Sequence, residues 1–222
     1  MKGDLFHLLN RGVEKRKIFL DESDYLRFIH NLHDFNDSAN VLQSYWRRRK
    51  MTEVRPPSKE VVDVLGWSLL SNHPHLLVME KIDGGKSLFS QKIFGGYTMY
   101  FNERYERGGV LFQGRTKIIP VTTDQHFYHL PFYIHLNPLD LFDKEWRTTG
   151  VKDVKKSIEF LDNYRWSNYR DISGRGEFPS TTNRGLFFEI FNTNEKRYRK
   201  DLIEWLANYK GNLTEVRPPS NR

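Results

Sequence analysis

The sequence predicts an α+β fold, because apolar stretches of strand length alternate along the chain with segments of helical periodicity. Residues 5–10, 61–71 and 73–80 are short and rich in apolar side chains, which is typical of buried strands. Residues 22–35 and 195–209 repeat their apolar side chains every three to four positions, as amphipathic helices do. Strands, helices and hairpin turns intermixed in this way indicate an α+β domain.

The first predicted helix has a recognisable start. Asp21 is a typical N-cap residue, and Asp24 stands three positions later, where a capping box has its second polar residue. Apolar positions then follow at helical spacing: Tyr25, Phe28, Ile29 and Leu32. We therefore expect a helix over residues 22–35.

The middle of the chain predicts a helix followed by a hairpin. The helix covers residues 87–105, although the pair Gly95-Gly96 weakens it. The pair Gly108-Gly109 then predicts a turn into two strands, residues 110–113 and 117–122, which we expect to pair with each other.

A further helix is predicted around Tyr133. Thr123 or Asp124 is suited to cap its start. Pro131 lies inside it, which costs roughly 3 kcal/mol unless the helix kinks there.

The domain organisation follows from these elements. We expect one catalytic-type domain over residues 1–145, interrupted by a loop-like insertion at 36–60 that contains a basic run and a helix over 41–50. Residues 146–222 are expected to form a mostly helical C-terminal extension with a helix near 195–209 and a flexible tail.

One heptapeptide occurs twice. Thr-Glu-Val-Arg-Pro-Pro-Ser stands at residues 52–58 and again at 214–220. Neither copy has a core-forming pattern, so a duplicated linker is one interpretation. The other is a short DNA repeat that lies twice in the gene in the same frame.

Composition narrows the classes of function. The chain of 222 residues has no cysteine, which excludes disulfides, thiolate metal sites and cysteine nucleophiles. The net charge of +7 favours a polyanionic partner such as nucleic acid. The sequence has no apolar run of membrane-spanning length and no signal-peptide pattern at its start. We therefore expect a cytoplasmic protein without a membrane partner.

Two histidines on the predicted strand 73–80 are candidate metal ligands. His73 and His75 alternate with Pro74, so both side chains lie on one face of the strand. Neutral imidazole is a suitable ligand for divalent metal ions. Two histidines alone leave further coordination positions of the metal free for substrate or water. The alternative is a hydrogen-bonded structural pair, and Pro74 disfavours a regular central strand.

Tyr133 and Asn137 form the second motif. They are four residues apart, so on a helix they share a face and can add a nucleophile and a third metal ligand. Asn137 is also a suitable C-cap before Pro138. Tyr128 is the rival nucleophile, but it has no carboxamide four residues later. His135 points away from Tyr133 on a helix and is expected to pack or to contact DNA. His126 and His129 also flank Tyr133, and either of them is an alternative site residue.

Cations and aromatic residues suggest a DNA-binding surface. Arg115 and Lys117 lie on the predicted hairpin, and a second group alternates cations with rings, a combination that suits phosphate contact and base stacking. The candidate DNA-binding residues are Arg11, Arg115, Lys117, Arg165, Trp166, Tyr169 and Arg170. For each of them a solvated surface position is the alternative.

Taken in order, these motifs resemble the single-tyrosine HUH transposases of insertion sequences, especially the branch associated with repetitive extragenic palindromes (REP). The resemblance runs from about Leu5 to Tyr169. Its landmarks are Phe6-His7-Leu8-Leu9-Asn10-Arg11-Gly12, Ile18-Phe19-Leu20, Asp24-Tyr25, Asn72-His73-Pro74-His75-Leu76-Leu77, Tyr100-Phe101-Asn102, Leu111-Phe112-Gln113-Gly114-Arg115, Tyr133-Ile134-His135-Leu136-Asn137-Pro138 and Tyr164-Arg165-Trp166-Ser167.

The resemblance implies a ferredoxin-like antiparallel sheet with helices packed on it, and usually a homodimer. It further implies that His73 and His75 bind the metal, that Tyr133 is the nucleophile and that Asn137 completes the site. We expect Mg²⁺ or Mn²⁺ as the cofactor, and single-stranded or hairpin DNA of a prokaryotic nucleoid as the partner. The expected activity is cleavage and rejoining of DNA through a 5′-phosphotyrosine.

Two other functions remain open from the sequence. One is a domesticated protein that binds DNA hairpins with little cleavage. The other is a nicking enzyme of the replication-initiator or relaxase type, which uses the same chemistry. The short chain without a helicase motif makes the second less compatible with the sequence.

Overall fold

The computed structural model describes residues 3–39 and 59–211. The elements up to the tyrosine helix are, in order, β1 (Leu5–Leu9), α1 (Glu22–Asp34), β2 (Val62–Leu70), β3 (His73–Glu80), α2 (Gly85–Arg104), β4 (Lys117–Pro120) and α3 (Asp124–Leu136). The helices that follow are α4 (Trp146–Thr149), α5 (Val154–Asn163), α6 (Tyr169–Ile172), α7 (Arg184–Ile190) and α8 (Glu195–Asn208). Both copies of the heptapeptide, the helix expected at 41–50 and the expected tail lie outside the described residues.

The four strands form an antiparallel sheet in the order β2-β3-β1-β4. With α1 between β1 and β2 and α2 between β3 and β4, this is the ferredoxin-like arrangement. The predicted fold class is therefore confirmed. Since β1 and β3 are the central strands, side chains on them lie in the middle of the sheet.

The two faces of the sheet carry different cores. Alternation along β1 and β3 puts Phe6, Leu8, Leu76 and Val78 on one face, where they pack with α1 and α2. The opposite face packs with α3 and the C-terminal helices, through side chains such as Leu77. Histidines at odd-numbered positions of β1 and β3 share this second face with Leu77.

A segment of the C-terminal region covers the edge strand β2. The Leu69 amide donates to the Trp166 carbonyl at 2.8 Å, and the Asn168 amide donates to the Trp67 carbonyl at 3.1 Å. The Asn168 side-chain oxygen in turn accepts from the Trp67 amide at 2.6 Å. These bonds satisfy backbone groups that an open sheet edge would leave unpaired.

The predicted hairpin of residues 110–113 and 117–122 is wrong. β4 pairs with β1, and Phe112 instead forms an isolated bridge with Gly12. Gly109 and Gly114 have positive φ angles of 83° and 71°, so the chain turns away on both sides of this segment. β4 can then use the free edge of β1, which a local hairpin would leave unpaired.

The predicted helices that fall within the described residues are present, with small shifts at their ends. Asp21 caps α1 by accepting from the Ser23 and Asp24 amides. Thr123 caps α3 by accepting from the His126 amide, and α3 continues through the buried Pro131 to Leu136. Within the described residues, no helix is both long enough and apolar enough to span a bilayer.

Candidate metal and nucleophile site

β3 places the two predicted histidine ligands side by side. His73 and His75 both face α3, with ring centroids 4.8 Å apart. They are 7% and 3% exposed, so the pair is almost closed to solvent. Pro74 is opposite Leu69 of β2 in the strand register, so the proline does not interrupt β3.

α3 brings Tyr133 to this pair. Its ring lies edge-on to His75 at a centroid distance of 5.6 Å. Asn137 follows one turn later, where its backbone amide donates to the Tyr133 carbonyl, so Asn137 is also the C-cap of α3. The two motifs, separated by more than fifty residues in sequence, thus meet at one place on the sheet.

The imidazole tautomer of His73 is fixed by its neighbour. His73 Nδ1 lies 2.6 Å from Asn72 Oδ1, an oxygen that can only accept. Asn72 Nδ2 donates to the Lys15 carbonyl at 3.3 Å, which supports this orientation of the carboxamide. Nδ1 of His73 therefore carries the hydrogen, and its Nε2 presents a lone pair.

His7 is a site residue that the sequence analysis did not identify. It lies on β1, is fully buried, and places Nε2 at 2.9 Å from His75 Nδ1. Its ring also approaches Tyr133 at 5.9 Å between centroids. The available signal was the alternation of Leu5, His7 and Leu9, which directs a histidine to the same sheet face.

The electrostatics keep these histidines neutral. Burial lowers the pKa of His7 to about 3 and that of His73 to about 4. Burial also holds the pKa of His75 well below its usual value, with smaller contributions from the neighbouring histidines and from Arg11 and Arg147. Neutral imidazole is the form that binds a metal ion.

Arg147 on α4 is the second residue that sequence reasoning missed. Its Nη2 donates to Asn137 Oδ1, and its Nε donates to Asp140 Oδ1 at 2.7 Å. Its guanidinium carbon lies 5.3 Å from the centroid of the Tyr133 ring. The site thus has a fixed cation beside the phenol. No spacing rule links Arg147 to the histidines, so the sequence alone held no signal for it.

The donor set fits a divalent metal ion with open coordination positions. Within the described residues, the buried His75 Nε2 has no hydrogen-bond partner, although a buried nitrogen normally has one. In the same part of the chain, no group of three or more His, Cys, Asp or Glu side chains is arranged to hold a metal ion. A metal here would depend on two imidazoles and on further ligands of another kind, such as a carboxamide oxygen, water or phosphate.

His135 and the rival tyrosine have other surroundings, whereas His126 lies close enough to His7 to help lower the pKa of that residue. His135 is fully buried between Tyr198, whose hydroxyl is 2.6 Å from Nδ1, and Asn168, whose oxygen is 2.9 Å from Nε2. Of the two roles left open for His135, the structure shows packing. Tyr128 is 61% exposed.

Three of the predicted DNA-binding cations gather near the β1–β4 edge. Lys117 is opposite Leu9 in the register, on the same face as His75, and Arg11 lies two residues beyond the end of β1. The Gln113 amide donates to the Arg11 carbonyl at 2.7 Å, which holds the segment that contains Arg115 against this end of β1. All three cations are exposed.

The second predicted group lies along β2, at the opposite edge of the sheet. Arg165 and Arg170 both bond to Glu177, and the Trp166 ring stacks on Tyr25 at 4.5 Å. Tyr169 is fully buried and cannot stack on a base in this arrangement, which corrects the expectation for that residue. Its hydroxyl accepts instead from Arg199: the ring is part of the core.

Comparisons with known proteins place the chain beside one solved structure. That structure is described as "Structure of the REP associates tyrosine transposase bound to a REP hairpin", and it is similar over 82% of this chain and 86% of that chain. The sequence identity is 16% and the TM-score is 0.47. No protein-family model matches the chain, and no curated protein matches it.

Proposed function

We propose that this protein is a metal-dependent transposase or endonuclease that acts on single-stranded, hairpin-bearing DNA. The observation that carries the proposal is the position of Tyr133, whose ring contacts His75 at 5.6 Å between centroids. A nucleophile beside an open pair of neutral imidazoles has the arrangement that cleavage through a phosphotyrosine needs. The ordered sequence motifs support the same assignment independently.

His73 and His75 would hold Mg²⁺ or Mn²⁺ through their Nε2 atoms, with Asn137 Oδ1 as the third ligand. Such an ion supplies polarisation of the scissile phosphate. Because Asn137 Oδ1 already accepts from Arg147, the oxygen must serve both groups or exchange one for the other. A carboxamide oxygen has two lone pairs, so it can serve both.

Tyr133 would carry out the covalent step. Its phenol oxygen attacks phosphorus, the bond from phosphorus to the 3′ oxygen breaks, and the phenol proton is transferred through solvent to the departing 3′-hydroxyl. The products are a 5′-phosphotyrosine and a free 3′-hydroxyl. Attack by a 3′-hydroxyl on the phosphotyrosine reverses the step and rejoins strands without ATP.

Arg11, Arg115 and Lys117 would bind the DNA backbone beside this site, since all three lie at the same end of β1. Phosphate contacts from such cations position the strand but do not read its sequence. Unpaired bases of a hairpin would supply the specificity. A homodimer acting on nucleoid DNA in a prokaryotic cytoplasm is the assembly and location that the family resemblance suggests, and light scattering of the purified protein tests the dimer.

A covalent-adduct assay tests the function. The protein is incubated with hairpin-bearing single-stranded DNA and Mn²⁺, and the adduct is resolved on a denaturing gel. We expect Tyr133→Phe to lose the adduct and Tyr128→Phe, on the exposed side of the same helix, to keep it. An adduct that persists in Tyr133→Phe contradicts the nucleophile assignment. Hairpin binding by the unchanged protein without any adduct supports the binding-only alternative.

A further inference from the structure

The two candidate metal-binding histidines differ in how their tautomers are set. His73 has its own sequence neighbour, Asn72, as the acceptor for Nδ1–H. His75 is flanked by Pro74 and Leu76, and neither side chain can accept a hydrogen bond. The orientation of His75 must therefore be set by a residue that is distant in sequence.

β1 provides the partner. In the register Leu9 lies opposite His75 and His7 lies opposite Leu77, so His7 is a diagonal neighbour of His75 on the same sheet face. The two rings stack with centroids 5.1 Å apart, and His7 Nε2 lies 2.9 Å from His75 Nδ1. Both rings are buried, so water does not compete for this contact.

An N–H···N bond between two neutral imidazoles has two possible directions. If His7 donates, the single hydrogen of His75 lies on Nε2 and blocks that atom as a ligand. If His75 donates, its hydrogen lies on Nδ1 and Nε2 presents a lone pair. Only the second direction allows His75 to bind a metal ion.

We propose that His7 is the positioning residue of His75, accepting the hydrogen of His75 Nδ1 so that Nε2 stays available to the metal. The inference rests on the proposed metal site. His7 would do for His75 what Asn72 does for His73. Partners of this kind commonly change metal affinity by about 10- to 100-fold when they are removed.

Mn²⁺ binding, measured by electron paramagnetic resonance on the full chain, tests the proposal without relying on catalysis. We expect His7→Phe, which keeps a planar ring but cannot accept, to weaken binding about 10- to 100-fold. His7→Gln, whose carboxamide oxygen can accept at a similar reach, should recover most of the affinity. Ser68→Ala is the matched control, because Ser68 is buried opposite His75 and its hydroxyl has no partner within the described residues. We expect its Mn²⁺ affinity to be unchanged.

The outcomes separate this inference from the proposed function. If His75→Ala abolishes Mn²⁺ binding but His7→Phe binds as tightly as the unchanged protein, the role of His7 is overturned and the metal site stands. If the unchanged protein does not bind Mn²⁺, or binds it independently of His75, the metal site fails and the role of His7 fails with it. Weak binding by His7→Phe together with recovery by His7→Gln supports the role of His7.

A spectroscopic readout decides the matter even if His7→Phe does not fold. In ¹⁵N-labelled, Mg²⁺-loaded protein, we expect a coupling across the hydrogen bond with the hydrogen on His75 Nδ1 and His7 Nε2 as the acceptor. A hydrogen found on His75 Nε2 overturns the proposal.

Discussion

Arg147 Nη2 donates a hydrogen bond to Asn137 Oδ1, the oxygen proposed as the third metal ligand. The same guanidinium donates to Asp140 and lies 5.3 Å from the centre of the Tyr133 ring. Asp140 also accepts from the Trp146 indole at 2.8 Å, so the carboxylate that holds Arg147 is itself fixed. The arginine is thus held in place by its own partners, where under the proposed function it would stabilise negative charge on the phenolate or phosphate.

Replacing Arg147 should separate metal binding from cleavage. In Arg147→Ala, Asn137 Oδ1 loses its competing donor, so we expect Mn²⁺ affinity to stay equal or rise. The rate of adduct formation should fall about tenfold or more, because a preorganised cation is lost beside the reacting groups. On the same preparation, Mn²⁺ affinity is measured by titration, and the rate of adduct formation is measured at saturating Mn²⁺.

The control for that variant is Arg175→Ala, which removes an exposed arginine that pairs with Asp162 away from the site. We expect neither its metal affinity nor its rate to change. Loss of Mn²⁺ binding in Arg147→Ala would show instead that the arginine supports the metal site structurally.

The two basic groups should contribute unequally to DNA binding. Arg11, Arg115 and Lys117 are exposed beside the site, and we expect replacing all three by alanine to weaken single-stranded DNA binding. At about 0.7 per phosphate contact, the slope of log affinity against log salt should decrease by about two. Fluorescence anisotropy over a salt series measures this slope.

The comparison variant replaces Arg165 and Arg170 by alanine. Both arginines bond to Glu177, so much of their charge is already neutralised, and we expect a much smaller change in slope. A larger change in slope from this pair than from the first group would indicate that DNA binds along the β2 edge instead.

The sequence predicted those features that depend on local period. Alternation along a strand was enough to put His73 and His75 on one face, and helical spacing was enough to put Asn137 one turn after Tyr133. Cap chemistry likewise located the starts of α1 and α3. Each of these relations spans a few residues and follows from backbone geometry alone.

Features that depend on tertiary pairing could not be predicted in this way. His7 reaches His75 only because β1 pairs with β3. Arg147 reaches Tyr133 and Asn137 only because the fold brings α4 against the C-terminal end of α3. The burial of Tyr169 has no sequence signal, because an aromatic residue among cations has the same pattern whether it faces a ligand or the core. The pairing of β4 with β1 has none either, because the nearby glycine turn resembles a hairpin signal.

His135 makes stability depend on pH. Burial lowers its pKa from the ordinary 6.5 to about 4 in the folded protein. Between these values the unfolded chain binds a proton that the folded protein does not, so the free energy of unfolding falls as the pH falls from about 6.5 to 4. The contribution of this group is on the order of 3 kcal/mol over the window.

Urea unfolding of the metal-free protein at pH 7.0 and 4.5 checks this contribution. His7, His73 and His75 also lower the free energy of unfolding at acidic pH, and they do so in both the unchanged protein and His135→Gln. The contribution of His135 is therefore the difference between the losses of stability of the two proteins. We expect the variant to lose less stability between the two pH values. An equal loss in both proteins would contradict the assignment to His135.

The adjacent glycines in α2 should respond in opposite directions to alanine. A Cβ at Gly96 would lie 2.6 Å from the Phe35 ring, which belongs to the core formed by α1, α2 and the sheet. We expect Gly96→Ala to lower the free energy of unfolding by about 1–3 kcal/mol, as overpacking does.

A Cβ at Gly95 would meet nothing within 4 Å among the described residues. Gly95→Ala should therefore raise the free energy of unfolding by about 0.5–1 kcal/mol, the usual helix preference for alanine over glycine. Thermal and urea unfolding of the two variants, which differ by one position, measure both signs. A stabilised Gly96→Ala would mean that α1 and α2 pack less closely than the contact with Phe35 requires.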